Sequence, residues 1–288
     1  VGSKELATIA DGAIRKYLTT GGYDPGFTAW VGRTVVERQQ SGHASLIAAL
    51  VAEVERRSAG RTVLAVTPIA DLAWFARAKL RPMVRGLFRR REQEPVLNVL
   101  ERSVIFLTPA NIASILGEER WLHTAWGLAN LFLGSIGAEL LSPDAPSIVG
   151  LSEETTCYVS LEYFAHRDRF ADFVVHEAAH VFHNCKRRTA GLPETRTREW
   201  LLDIEFGKRE TFAYACEAYS RIVELGRRPA DRRRLLADLE SEGLPGDETV
   251  RREELRQILR EGVEARNGWK RILAHCAPKP RTVQLCGA

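Results

Sequence analysis

Residues 170–184 read FADFVVHEAAHVFHN, and within them His176-Glu177-Ala178-Ala179-His180 sets two imidazoles and a carboxylate on one predicted helix. Successive residues on an α-helix turn about 100°, so His176 and His180 lie roughly 40° apart and one turn along. Both rings can converge on one cation. Glu177 projects from the adjoining surface, where it reaches a water beside the ion without displacing a histidine. Phe170, Phe173, Val174, Ala178 and Val181 supply an inward packing face, and the small Ala178 and Ala179 leave room above the metal. The stretch therefore predicts two zinc ligands and a general base, Glu177, fixed by one rigid element.

A catalytic zinc needs a third protein ligand and one open position. His183 lies seven residues beyond His176, about 10.5 Å along a straight helix, too far for all three rings to meet one ion. It is expected on the pocket wall, in support of the ligands, or simply exposed at the surface. The next predicted helix, residues 208–225 (KRETFAYACEAYSRIVEL), offers Glu210, 30 residues after His180, in a compact apolar setting of Phe212, Ala213 and Ala215. Glu217, two turns on, shares much of that face. Glu210 is the favoured ligand. Glu217 takes its place, orients a histidine or merely faces solvent, and the residue pattern leaves that choice open.

HEAAH followed by a helical E-x-F-A, here Glu210-Thr211-Phe212-Ala213, resembles the gluzincin group of zinc metallopeptidases over residues 155–225. The resemblance implies a zincin-like catalytic domain in which the second helix supplies a glutamate ligand. It also implies a strand before the motif helix that borders the cleft. Residues 155–164 (TTCYVSLEYF) stand in that place, with Tyr158 and Ser160 on a strand to which an extended peptide adds. On this reading zinc, Zn2+, lowers the pKa of water towards neutrality and Glu177 takes the proton as that water attacks a peptide carbonyl. Tyr214, Tyr219 or His183 supplies a further donor to the oxyanion. Two histidines and one carboxylate are equally a ligand field for Fe2+, so oxidative modification of a peptide is the alternative chemistry. A metal-stabilised regulatory or binding module without catalysis is the third.

The rest of the chain frames this motif. It has 288 residues, 45% of them hydrophobic and 27% charged, with a formal net charge of +4, ordinary values for a globular protein. Arg89-Arg90-Arg91 and Arg232-Arg233-Arg234 fit solvated helix faces and give no clear nucleic-acid signal. Five cysteines form no C-x-x-C pair; with no signal peptide at the first residues, a cytoplasmic location is expected. The apolar run 124–138 spans about 15 residues, short of the roughly 20 that cross a bilayer, and reads as a buried core helix with no membrane partner. Residues 4–18, 29–39, 44–57 and 67–91 predict helices, the last bent by Pro68 and Pro82. Residues 103–108 predict a strand and 118–141 the apolar helix.

The loop Ser142-Pro143-Asp144-Ala145-Pro146 predicts a boundary between an N-terminal helical region, 1–145, and a metal-binding catalytic domain, 146–288. Two or three charged amphipathic helices are expected between residues 226 and 276, then an irregular tail. The expected class is mainly α with a small β-sheet (α+β), and the expected partner a peptide or protein substrate.

Overall fold

A computed structural model of the chain describes residues 3–61, 69–146, 148–153, 155–196 and 198–278. In chain order these form α1 (Ser3–Thr20), α2 (Val35–Ser58), α3 (Leu72–Leu87), α4 (Arg90–Ser103), β1 (Val104–Leu107), α5 (Ile112–Glu118), α6 (Leu122–Ser135), β2 (Gly150–Glu153), β3 (Thr156–Ser160), α7 (Phe173–Asn184), α8 (Arg209–Leu225), α9 (Pro229–Glu242), α10 (Arg252–Glu264) and α11 (Gly268–Cys276). The fold is mainly helical, with one three-stranded sheet ordered β1-β3-β2. That is the expected α+β composition.

Two compact units divide the chain. The first comprises Val1–Ala70, Phe106–Glu153 and Tyr158–Ala165; the second comprises Asp71–Ile105, Glu154–Cys157 and His166–Ala288. A single cut at residue 145 is thus not the division observed, because α3 and α4 belong with α7. Their side chains explain it. The Phe88 and Phe182 rings meet edge to face at 5.2 Å, and buried Glu92 on α4 pairs with buried Arg187, just past α7, at 2.6 Å.

In the first unit, α6 is the buried core helix that its composition predicts, with eleven of its 14 residues buried. Around it pack Tyr17, Leu46, Leu50 and Leu116 from α1, α2 and α5. Burial forces its polar groups to pair. Tyr17 Oη donates to the Leu122 carbonyl at 2.7 Å, and Asn130 Oδ1 accepts from Leu141 N at 2.8 Å. Among the described residues, no helix is long and apolar enough to cross a membrane.

Several expected boundaries move. Residues 35–39 of the first predicted helix and all of the second, 44–57, form one helix, α2, because Gly42 lies inside it as a contact point, while residues 29–34 precede it and are not helical. A Cβ at Gly42 would sit 2.2 Å from Phe27 Cδ1. The helix expected over 67–91 is α3 with Pro82 inside it, followed by a break at Phe88; residues 67 and 68 lie outside the described residues, as do the last ten. The strand expected over 155–164 stops at Ser160, whose hydroxyl accepts from Glu162 N and starts a 3-10 turn.

In the second unit, α7 begins where the Asp172 carboxylate accepts from Val175 N, an N-cap that satisfies one of the helix's orphan donors. Its C-terminal carbonyls are also paired: Leu202 N donates to Phe182 O at 2.9 Å. Against α7 lies α8, buried nearly all round, where Ala213, Ala215 and Ala218 allow close approach of the two backbones.

Candidate metal centre

The α7–α8 packing brings three donor atoms together in the second unit. His176 Nε2 and His180 Nε2 are 3.3 Å apart. Glu210 Oε2, from the first turn of α8, lies 3.7 Å from the first and 3.6 Å from the second. Zinc–ligand bonds of about 2.1 Å at tetrahedral angles give donor–donor edges of about 3.4 Å. The triangle already has nearly those dimensions. Both histidines are 9% exposed, whereas the Glu210 side chain is 38% exposed, so the carboxylate marks the open side of the site. No other group of three or more His, Cys, Asp or Glu donors with this closeness occurs among the described residues.

Glu217 takes the orienting role. The Nδ1–H of His176 donates to Glu217 Oε2 at 3.0 Å, which directs Nε2 towards His180 and Glu210. This is the carboxylate–histidine pairing that fixes tautomer and ring angle in metal sites. Glu217 Oε1 accepts from Asp172 N at 2.8 Å, so both oxygens are engaged. Asp172 in turn lies 3.0 Å from Lys79 Nζ on α3, and Lys79 reaches Glu224 on α8 at 2.6 Å.

Charge follows from this arrangement. Burial pushes His176 down, but Glu210 and Glu217 outweigh it and raise the ring to about 10. His180 is lowered to about 4, by burial first and then by the His176 charge. Glu210 is held below the usual carboxylate range, chiefly by His176. Asp172 is raised to about 6 by burial, against the opposing pull of Lys79. Two imidazoles facing at 3.3 Å beside a carboxylate form a compact donor set for a divalent cation. The residues present therefore fit a zinc or ferrous ion.

Of the other expected site residues, Glu177 is buried on α7, and its charge acts on His176, Tyr214 and Cys157. The Tyr214 ring meets His176 edge-on at 4.4 Å between centroids. Tyr219 is elsewhere. It packs edge to face on Trp269 at 4.9 Å and lies against Gly268 of α11. Five residues separate the two tyrosines, about 140° around a helix, so they leave α8 on nearly opposite sides. Its expectation as an oxyanion donor is corrected to a packing role. His183 stands outside the three-donor group, its ring 5.3 Å from His180, as the rise per residue requires.

The substrate-strand expectation for Tyr158 and Ser160 is also corrected. Strand β3 is the middle of its sheet, hydrogen-bonded on both sides, so it has no free edge for an added strand. Tyr158 packs on the first unit's core. Lys79 and Asp172 escape sequence reasoning as part of this network. Asp172 carries a helix-start signal, an Asp before an apolar run, but the Lys79 contact joins residues far apart in the chain. Compared with protein-family models, curated proteins and solved structures, the chain matches none.

Proposed function

We propose that this chain is a zinc-dependent peptide hydrolase of the gluzincin kind, with a zincin-like second unit. The observation that carries the reading is the triangle of His176, His180 and Glu210 donors at 3.3, 3.7 and 3.6 Å, with Glu177 one residue from the first ligand. A zinc ion in that triangle supplies Lewis acidity, bringing the pKa of water towards neutrality and polarising a carbonyl. The chain's own residues do the rest. Glu177 accepts the proton of the attacking water and returns it to the departing amine. Tyr214, beside His176, donates from its hydroxyl to the carbonyl oxygen as charge develops there. Burial raises that hydroxyl to about 12, which keeps it protonated at neutral pH. Glu217 holds His176 in its ligating tautomer. A cytoplasmic setting agrees with the four cysteines among the described residues, Cys157, Cys185, Cys216 and Cys276, being buried free thiols.

Elemental analysis of purified protein, with His176→Ala as control, tests the metal: about one zinc per chain is expected, and none in the variant. Glu177→Gln then tests the chemistry. Metal content should persist while peptide hydrolysis falls by about 100-fold or more; full activity in Glu177→Gln sinks the mechanism. Two histidines and one carboxylate also suit ferrous iron. Iron in the purified protein with oxygen-dependent peptide modification would move the site to that class.

A further inference from the structure

Among the described residues, two side chains that flank the metal triangle carry a buried nitrogen with no hydrogen-bond partner: His183, at Nδ1, and Arg209, at Nε. His183 is 4% exposed, one turn beyond His180 on α7. Arg209 immediately precedes Glu210 at the start of α8. Its guanidinium carbon stands 5.0 Å from the ring centre of Phe206, itself 81% exposed, and no ion pair holds it among the described residues. The guanidinium charge is felt at both His180 and His183. The same end of α8, a helix of 17 residues, has no side-chain cap, so the helix's positive end adds to the cation. The guanidinium, with its buried Nε unpaired, and the unpaired Nδ1 of His183, in the tautomer that protonates it, offer donors to one anion.

We propose that Arg209 and His183 form an anion subsite that takes a carboxylate of the substrate next to the bond cut at the metal centre. This rests on the hydrolytic reading above. A guanidinium receives a carboxylate through two parallel N–H donors, and its place in the chain, one residue before a metal ligand, keeps that carboxylate close to the reacting carbonyl. The carboxylate is either the substrate's own C-terminus, which would make the reaction removal of terminal residues, or an acidic side chain of the substrate.

Kinetics on free and amidated peptides separate these sources. Wild-type protein should cut a peptide with a free C-terminus with kcat/KM about 10- to 100-fold above its C-terminal amide. Arg209→Gln should reduce that ratio to near one. If instead the preference and its dependence on Arg209 appear for an amidated peptide with Glu beside the cut, against Gln there, the anion is a side chain. An equal loss on every peptide in Arg209→Gln overturns the subsite, because the guanidinium would then act on the carbonyl oxygen.

A binding arm needs no turnover. N-acetyl-L-phenylalanine should bind chelator-treated protein about tenfold more tightly than its amide, and Arg209→Gln should abolish the difference; equal binding of acid and amide by the wild type overturns the proposal. Discrimination in binding without hydrolysis of any peptide would remove the hydrolase reading and leave the subsite standing. Should Arg209→Gln fail to fold, Arg209→Lys keeps the charge without the fork, and a partial loss of the preference is expected.

Discussion

His176 Nδ1 and Glu217 Oε2 are joined at 3.0 Å across the α7–α8 interface, and the other oxygen of the same carboxylate accepts from Asp172 N at the start of α7. One side chain thus fixes both a ligand ring and the helix that carries it. Glu217→Gln keeps an acceptor for the Asp172 amide but removes the negative charge behind the ring. Metal affinity should fall about 10- to 100-fold, measured by competition with a chromophoric chelator. Glu217→Ala should add a loss of stability of about 2 kcal/mol, because the buried Asp172 N–H is left without a partner. Unchanged affinity in both variants would remove Glu217 from the site.

Metal binding should release a proton. In the metal-free chain His176 is raised to about 10 and His180 lowered to about 4, so at pH 7 the first ring holds a proton that a cation must displace and the second does not. Affinity should therefore rise with pH through the neutral range. Calorimetric titration with zinc in two buffers of different ionisation enthalpy should give about one proton released by the pair of rings. No buffer dependence would contradict the charge assigned here.

Lys79 should matter more than a surface lysine. Its Nζ stands 3.0 Å from the fully buried Asp172, and Lys79→Met leaves that carboxylate without its cation at a cost of about 3 kcal/mol. The sign with pH follows from Asp172, whose folded value is raised to about 6 from 3.8 by burial, with Lys79 and Arg221 opposing and Glu217 adding to the rise. A raised acid favours its protonated form in the folded chain, so its contribution to stability declines as pH rises from 3.8 through 6. Urea denaturation should show Lys79→Met losing more stability at pH 8 than at pH 5. Equal losses at both would contradict this.

The Glu92–Arg187 pair behaves in the opposite sense. Burial tends to raise the Glu92 carboxyl, but hydrogen bonds from Arg187 and Arg89 prevail and hold it below the usual range. Stability from a lowered acid is present above its unfolded pKa and fades as pH falls through the folded one. Glu92→Gln should destabilise by about 3 kcal/mol at pH 7, by leaving the Arg187 charge uncompensated, and the difference from wild type should shrink in acid. A flat difference would place the stabilisation elsewhere.

The part of the site that lies on one helix was legible from spacing alone. His176, Glu177 and His180 owe their relation to the helical repeat, and so does the exclusion of His183. Glu210 needed a second helix, and its apolar surroundings pointed to it. The division of labour between Glu210 and Glu217 could not be read, since seven residues on one helix return to nearly the same face; only the packing of α8 on α7 separates a donor 3.6 Å from His180 from one behind His176. Tyr219 shows the converse: a tyrosine on the right helix but on a face committed to Trp269. Strand β3 was expected from its β-branched and aromatic residues, yet its place in the middle of the sheet depends on β1 and β2, which local composition does not encode. Gly42 lies in the gap between predicted helices 29–39 and 44–57: a glycine's cost in a helix is local, while its use, a close approach by Phe27, is not.

The unequal exposure of the three donors has a kinetic consequence. Two sunken imidazoles, one braced by Glu217, cannot swing away without disturbing the interior, but Glu210 has solvent on its side. Loading and loss of an ion should thus proceed by movement of that one carboxylate, with the paired rings as the last hold. Affinity and exchange rate would then answer to different residues: Glu217 would govern how tightly a cation is kept, and Glu210 how fast it comes and goes.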